Sequence, residues 1–103
     1  MGKIKVYISM PITGYDLKER MAEAEIAKNA AKEHFGEDAE VVTPFDICED
    51  LNLPYSKLMA RDIQKIMESD TVVFCRGWKN SRGCRIERKV AEEMRMPMWE
   101  EWE

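Results

Sequence analysis

Residues 71 to 75, TVVFC, form an unbroken apolar run of strand length. Such a run has no polar face to turn to solvent, so it suits a strand covered on both sides, as in the middle of a sheet flanked by helices. The rest of the chain supplies the covering elements. KIKVYIS at 3 to 9 is β-branched and aromatic and ends in the loop MPITG, punctuated by Pro11 and Gly14. From Asp16 to Phe35, the residues Leu17, Met21, Ala24, Ala31 and Phe35 recur at helical spacing, and Gly36 follows as a C-terminal cap. EVVT at 40 to 43 is a short strand stopped by Pro44, and PFDICEDLNLP is a loop long enough to cover a site. A second helix is expected from about Tyr55 to Ser69, on Leu58, Met59, Ile63, Ile66 and Met67, and a third from about 82 to 95. The tail MPMWEEWE offers a short fourth strand. Strands alternating with helices imply right-handed crossovers. The expectation is a three-layer α/β fold, flavodoxin- or Rossmann-like, with a mostly parallel sheet of four to five strands.

A chain of 103 residues, 45% hydrophobic and 35% charged, has room for one packed core, so a single domain over residues 1–103 is expected. Its apolar runs fall far short of the roughly 20 residues of a membrane span. The N-terminus passes directly into a strand without a separate apolar leader, and a cytoplasmic protein with no membrane partner is the reading. Cys48, Cys75 and Cys84 form no CxxC pair and His34 is the one histidine. Neither a disulfide framework nor a metal site is supported, and no cofactor is expected. A net charge of −4 argues against general nucleic-acid binding. Yet Arg76, Lys79, Arg82, Arg85, Arg88 and Lys89 crowd one short stretch, which is either a solvated helix face or an attraction for a small anion.

In such sheets ligands bind beyond the carboxyl ends of the strands, here Ser9 to Gly14, Thr43 to Phe45 and Cys75 to Gly83. No GxGxxG follows the first strand and no GxxxxGK[ST] occurs, so the common nucleotide motifs are absent. Two acids stand out instead. On a wheel of about 100° per residue, Ile86, Val90, Ala91 and Met94 centre on one direction, and Glu87 lies roughly 35° from it. Asp62 likewise falls among Tyr55, Leu58, Met59 and Ile66. An ionised carboxylate in an apolar setting needs a partner, a cleft floor or a shifted pKa. One reading is a buried salt bridge, for example Glu87 with Arg61; the other is a pair of functional acids.

The entrance to the third helix carries Ser81 and Gly83. There a serine either caps the helix or, with a glycine admitting close approach, helps bind an oxyanion such as phosphate. Two carboxylates flanking a sugar carbon can run glycosyl chemistry without a metal, one attacking the anomeric carbon and the other handling the proton of the leaving group. Tyr7 is either the orienting partner of the nucleophile or a core tyrosine. Trp78 either stacks on a base or closes the core, and Asp46 and Asp50 either reach a ligand or lie in a solvated loop. Cys84 as a nucleophile would need a base, and His34 sits at the far end of the first helix.

VYISMPITG, RDIQKIMESDTVVF and GWKNSRGCRIE, in that order, resemble the nucleoside 2-deoxyribosyltransferase superfamily, in particular its small bacterial and phage branch and the 2′-deoxynucleoside 5′-phosphate N-hydrolases. The resemblance implies that Glu87 is the nucleophile on C1′, that Asp62 assists the leaving base and that Tyr7 orients Glu87. It places Ser9, Ile12, Thr13 and Gly14 along the sugar and phosphate, with Trp78, Ser81 and Gly83 completing the substrate site. Transferases of the superfamily carry an aspartate six residues before the nucleophile, where the N-hydrolases carry a serine. Ser81 therefore favours a nucleoside monophosphate over a free nucleoside. Met10 stands where the family usually has glycine, and Cys84 where it has a smaller residue. A homodimer or higher homo-oligomer is implied too, since relatives complete each site with a neighbouring subunit; Trp99 and Trp102 are candidates for that contact. The alternative is a non-catalytic protein that uses the same pocket to bind or sequester a nucleotide or nucleotide-derived signal.

Overall fold

The structure, a computed structural model, describes residues 3–47 and 52–102, the last two by backbone only. Strand β1 (Lys5–Ser9) leads into helix α1 (Leu17–Phe35), β2 (Glu40–Val42), a short helix α2 (Pro44–Ile47), α3 (Tyr55–Met67), β3 (Thr71–Cys75), α4 (Arg82–Glu93) and β4 (Met98–Trp102). One turn of 3-10 helix, Trp78–Asn80, precedes α4. The four strands form one sheet in the order β2-β1-β3-β4, every neighbouring pair parallel. This is an α/β fold of the flavodoxin-like kind, and β3, the apolar run TVVFC, is buried along its whole length.

Alternation along β1 and β3 assigns the layers. Val6 and Ile8, with Val73 and Cys75, face Ala24, Ala27 and Ala31 of α1. Tyr7, with Val72 and Phe74, faces Ile66 of α3 and Cys84 and Ala91 of α4. The period of two in a strand thus sends every second residue of β1 toward the α3–α4 layer, and Tyr7 and Ser9 are the ones that go there.

Helix α1 is seated differently from the expectation. Its N-terminus is capped by Asp16, whose carboxylate accepts from the Glu19 N–H at 3.1 Å. Gly36 ends it at φ 119°, a backbone angle that favours glycine. But Leu17 and Met21 are half exposed while the three alanines are buried. Small side chains let the helix axis approach the sheet closely, and the larger apolar residues are left at its flank. Within the stretch read as a loop, residues 44–47 form α2, with Pro44 in the first position, where its missing N–H has no helical partner to lose. Asp46 is held by Thr43 and by Lys28 at 3.0 Å; Asp50 and Cys48 lie outside the described residues. Helices α3 and α4 each end about two residues before the expected position.

The tail does form a strand. β4 pairs with β3 through an irregularity at Phe74 and Cys75, and Trp99 packs edge-on against His34 and Phe35 at the end of α1. Arg88 fastens α4 over this edge: its guanidinium lies 4.8 Å from the centre of the Trp78 ring and 5.3 Å from that of Phe74, with carboxylates of Glu92 and Glu100 each at 3.3 Å.

If the alanine stripe sets the helix-to-sheet distance, enlarging it must push the layers apart. Ala31→Leu is expected to cost about 1–3 kcal/mol in urea unfolding, whereas Leu17→Ala on the exposed flank should stay within about 0.5 kcal/mol of the parent.

Candidate active site

Because β1 sends its loop toward α1 on one side of the sheet and β3 sends its loop toward α4 on the other, a crevice opens beyond their carboxyl ends. A cavity of about 640 Å³ occupies that place, within the range of small-molecule sites. Its walls are Met10 to Thr13 and Tyr15 after β1, Pro44 after β2, the α3 face from Tyr55 to Asp62, and Asn80 to Cys84 with Glu87 after β3.

Glu87 is 4% exposed and forms the cavity floor. The buried side of α4 is Cys84, Glu87 and Ala91, rotated by roughly 70° from the direction on which Ile86, Val90, Ala91 and Met94 centre on a wheel. Ile86 and Met94 are in fact partly exposed, and Glu87 lies between the two directions, on the buried side of the helix. Ser9 donates to one carboxyl oxygen at 2.6 Å and Tyr7 to the other at 3.2 Å. Both donors are fully buried members of β1, which places them under the cavity rather than on its wall.

Asp62 reaches the same floor from α3, half-buried, in hydrogen-bonding contact with Glu87 and Tyr7. Among the described residues no lysine or arginine is paired with either acid; the alternative of a buried salt bridge to Arg61 is not what the structure contains. The electrostatic consequence is a pair that resists double ionisation. Burial raises the Glu87 carboxyl to about 8; the Ser9 hydrogen bond opposes this and the neighbouring Asp62 charge adds to it. Burial raises Asp62 to about 6, against the hydrogen bonds from Glu87 and Tyr7. Between those values the two acids share one proton. Tyr7 is also pushed well above its ordinary range, first by burial and then by the charges of Glu87 and Asp62, so it remains a donor.

The other sequence candidates divide. Ile12, Thr13, Ser81 and Gly83 line the cavity. Gly14 does not; it takes the positive-φ position, 88°, of the turn closed by the Tyr15 N–H on the Ile12 carbonyl. Trp78 is buried against Phe74 and Arg88 in the core below, away from the cavity. Ser81 caps α4, its hydroxyl accepting from the Cys84 N–H at 3.3 Å. Burial pushes the Cys84 thiol up, and His34 is occupied with Phe35 and Trp99 at the far end of α1.

Sequence reasoning does not mark Tyr15 or Tyr55 as cavity residues, and it names Arg82 only within a basic stretch. A side chain on Gly83 would begin 2.9 Å from the Tyr55 hydroxyl, so the glycine leaves room for a tyrosine from another helix. Arg82 stacks over that Tyr55 ring at 5.0 Å, and Tyr15 carries Arg20 over its own ring at 4.8 Å. Aromatic residues with nearby arginines are a detectable signal, but their convergence is a property of the fold.

The chain is thus an α/β protein with a flavodoxin-like sheet and two acids at the floor of the crevice beyond its strands. Residues 4–100 match the model of the family described as "Domain of unknown function (DUF4406)", and the chain belongs to that family. No curated protein matches it. Among solved structures it is similar to a 2-desoxiribosyltransferase from Leishmania mexicana, at 17% identity and a TM-score of 0.66, over 94% of this chain and 63% of that one. The chain therefore spans less than two thirds of that enzyme, and the likeness is one of fold. Among the described residues no helix is long and apolar enough to cross a membrane.

A carboxyl whose folded pKa is raised binds a proton that the unfolded chain has already released, so stability falls as pH rises between the two values. For Glu87 that interval runs from 4.5 to about 8, and for Asp62 from 3.8 to about 6. Chemical denaturation should show stability declining between pH 6 and 8, and Glu87→Gln should remove that decline. A slope unchanged by the substitution would mean that Glu87 is ionised in the folded protein.

Proposed function

We propose that the chain cleaves or exchanges the N-glycosidic bond of a 2′-deoxynucleoside 5′-monophosphate, with Glu87 as the nucleophile. The observation that carries this reading is the cation-free contact of Glu87 and Asp62 at the floor of a cavity large enough for a nucleotide. A buried salt bridge would give these acids a structural role, and among the described residues neither pairs with a cation.

The chemistry follows from the shared proton. The two carboxyls are in hydrogen-bonding contact, so a sugar entering between them has to break their mutual hydrogen bond. As the sugar enters, the shared proton passes from Glu87, which holds it more tightly in the free pair, to Asp62, and Glu87, now the carboxylate, attacks C1′ while the C1′–N bond breaks. Asp62 keeps the proton and delivers it to the departing base nitrogen. Ser9 and Tyr7 aim the Glu87 oxygens from below and favour its ionised form as positive charge develops on the sugar. In the second half, Asp62 accepts a proton from the incoming nucleophile, which displaces Glu87 from C1′. Water as that nucleophile gives base and deoxyribose 5-phosphate; a second base gives exchange. Apolar walls from Met10, Pro11, Pro44 and Met59 suit the flat face of a base, and Ser81 in place of an acid admits a phosphate. The fold neighbour is a 2-desoxiribosyltransferase, which supports the same bond as the target.

The test is release of free base from a panel of deoxynucleoside monophosphates, followed by chromatography. Release should be abolished in Glu87→Gln and lowered about 10²- to 10⁴-fold in Asp62→Asn, the range of general acid catalysis. Its rate should follow a bell between pH of about 6 and about 8, where the pair holds one proton. Tight binding without base release would favour the nucleotide-sequestering alternative, and release that survives Glu87→Gln would exclude the mechanism.

A further inference from the structure

We infer that Arg82, held over the ring of Tyr55, is the residue that selects a phosphorylated ligand for this cavity; the inference rests on the nucleotide reading above but not on the bond-breaking step. Three observations lead there. Among the described residues lining the cavity, Arg82 is the one cation, facing two acids. Its guanidinium pairs with no carboxylate among the described residues and instead lies 5.0 Å from the centre of the Tyr55 ring. It also occupies the first position of α4, where the helix dipole disfavours positive charge, and the first turn of α4 contains no acid to compensate.

An arginine in that setting gains most from an anion brought by the ligand. The neighbouring groups are suited to share it. The Tyr55 hydroxyl lies 2.9 Å, and the Ser81 hydroxyl 4.0 Å, from the point where a side chain on Gly83 would start. Two hydroxyls and a guanidinium thus surround the entrance of α4, on the cavity wall above Glu87. One tetrahedral oxyanion can accept from all three, and arginine's planar fork suits phosphate oxygens better than a lysine would. Stacking on Tyr55 keeps the fork in place, which lowers the ordering cost when the anion arrives. A bound phosphate here would leave the sugar over the acids, so Arg82 governs recognition rather than chemistry.

The experiment is a calorimetric titration of the full chain, its Arg82→Ala, Arg82→Lys and Tyr55→Ala variants with deoxynucleoside 5′-monophosphates, with the matching deoxynucleosides and with inorganic phosphate. Base release is followed in parallel. The parent should prefer monophosphate to nucleoside. Arg82→Ala should weaken the monophosphate by about 10- to 100-fold, the range of a charge-assisted hydrogen bond, and leave the nucleoside unchanged. Arg82→Lys should recover part of the loss, and Tyr55→Ala should lose affinity in the same ligand-selective way. Because Arg82 is exposed, thermal unfolding of Arg82→Ala should match the parent. A monophosphate that binds with Arg82 dependence but releases no base would sink the glycosyl reading and keep this one. Base released equally from both ligand classes, with no change in Arg82→Ala, would keep the glycosyl reading and overturn this one. Failure of the parent to bind any monophosphate would overturn it as well.

Discussion

A carboxyl group buried with no cation paired to it among the described residues is the constraint on which the site depends. Glu87 is almost wholly removed from solvent, and what it has for company is two hydroxyls and a second acid. Burial of a charge at such a place is costly unless the group stays protonated or the surrounding donors stabilise it. The chain does some of each: β1 contributes two donors, and Asp62 shares the proton. A group kept in that balance is easily shifted by a ligand carrying positive charge at its reacting carbon, which is the physical link between the folded state and the proposed reaction.

The rest of the fold serves to hold that balance. Tyr7 and Ser9 reach Glu87 because they are alternate residues of a central strand. That strand keeps its place because β3 beside it is covered on both faces, by α1 through closely seated alanines and by α3 and α4 opposite. Arg88, in the middle of α4, ties the helix that bears Glu87 to Phe74 of β3, Trp78 and Glu100 of β4. The loops after β1 and β3 diverge to opposite layers and leave the crevice above the acids. Stability and site therefore share residues, and the cost of the buried acids is met by packing elsewhere in the sheet.

Much of this was legible in the residues. TVVFC required cover on both faces, and the alternation of strand and helix implied the parallel sheet that the structure has. Glu87 and Asp62 were marked by their place among apolar neighbours. The direction is less legible: the wheel weights Ile86, Val90 and Met94, which are partly exposed, with the buried Ala91, and leaves out Cys84, since side-chain hydropathy does not record which small residues lie against a sheet. For the same reason Leu17 and Met21 were over-read and Ala27 under-read. Trp78 illustrates the limit of a loop motif, because only the tertiary structure shows that its ring turns down onto Phe74. The contacts of Ser9 with Glu87 and of Tyr55 with Gly83 join residues far apart in the chain, and no local pattern announces them.

The sharing of one proton by Glu87 and Asp62 can be observed directly. With side-chain carboxyls labelled by carbon-13, NMR titration of the protein should show these two groups changing in linked steps, at apparent values near 6 and 8. Two independent titrations in the ordinary carboxylate range, near 4, would show that the pair is doubly ionised at neutral pH and would contradict the account.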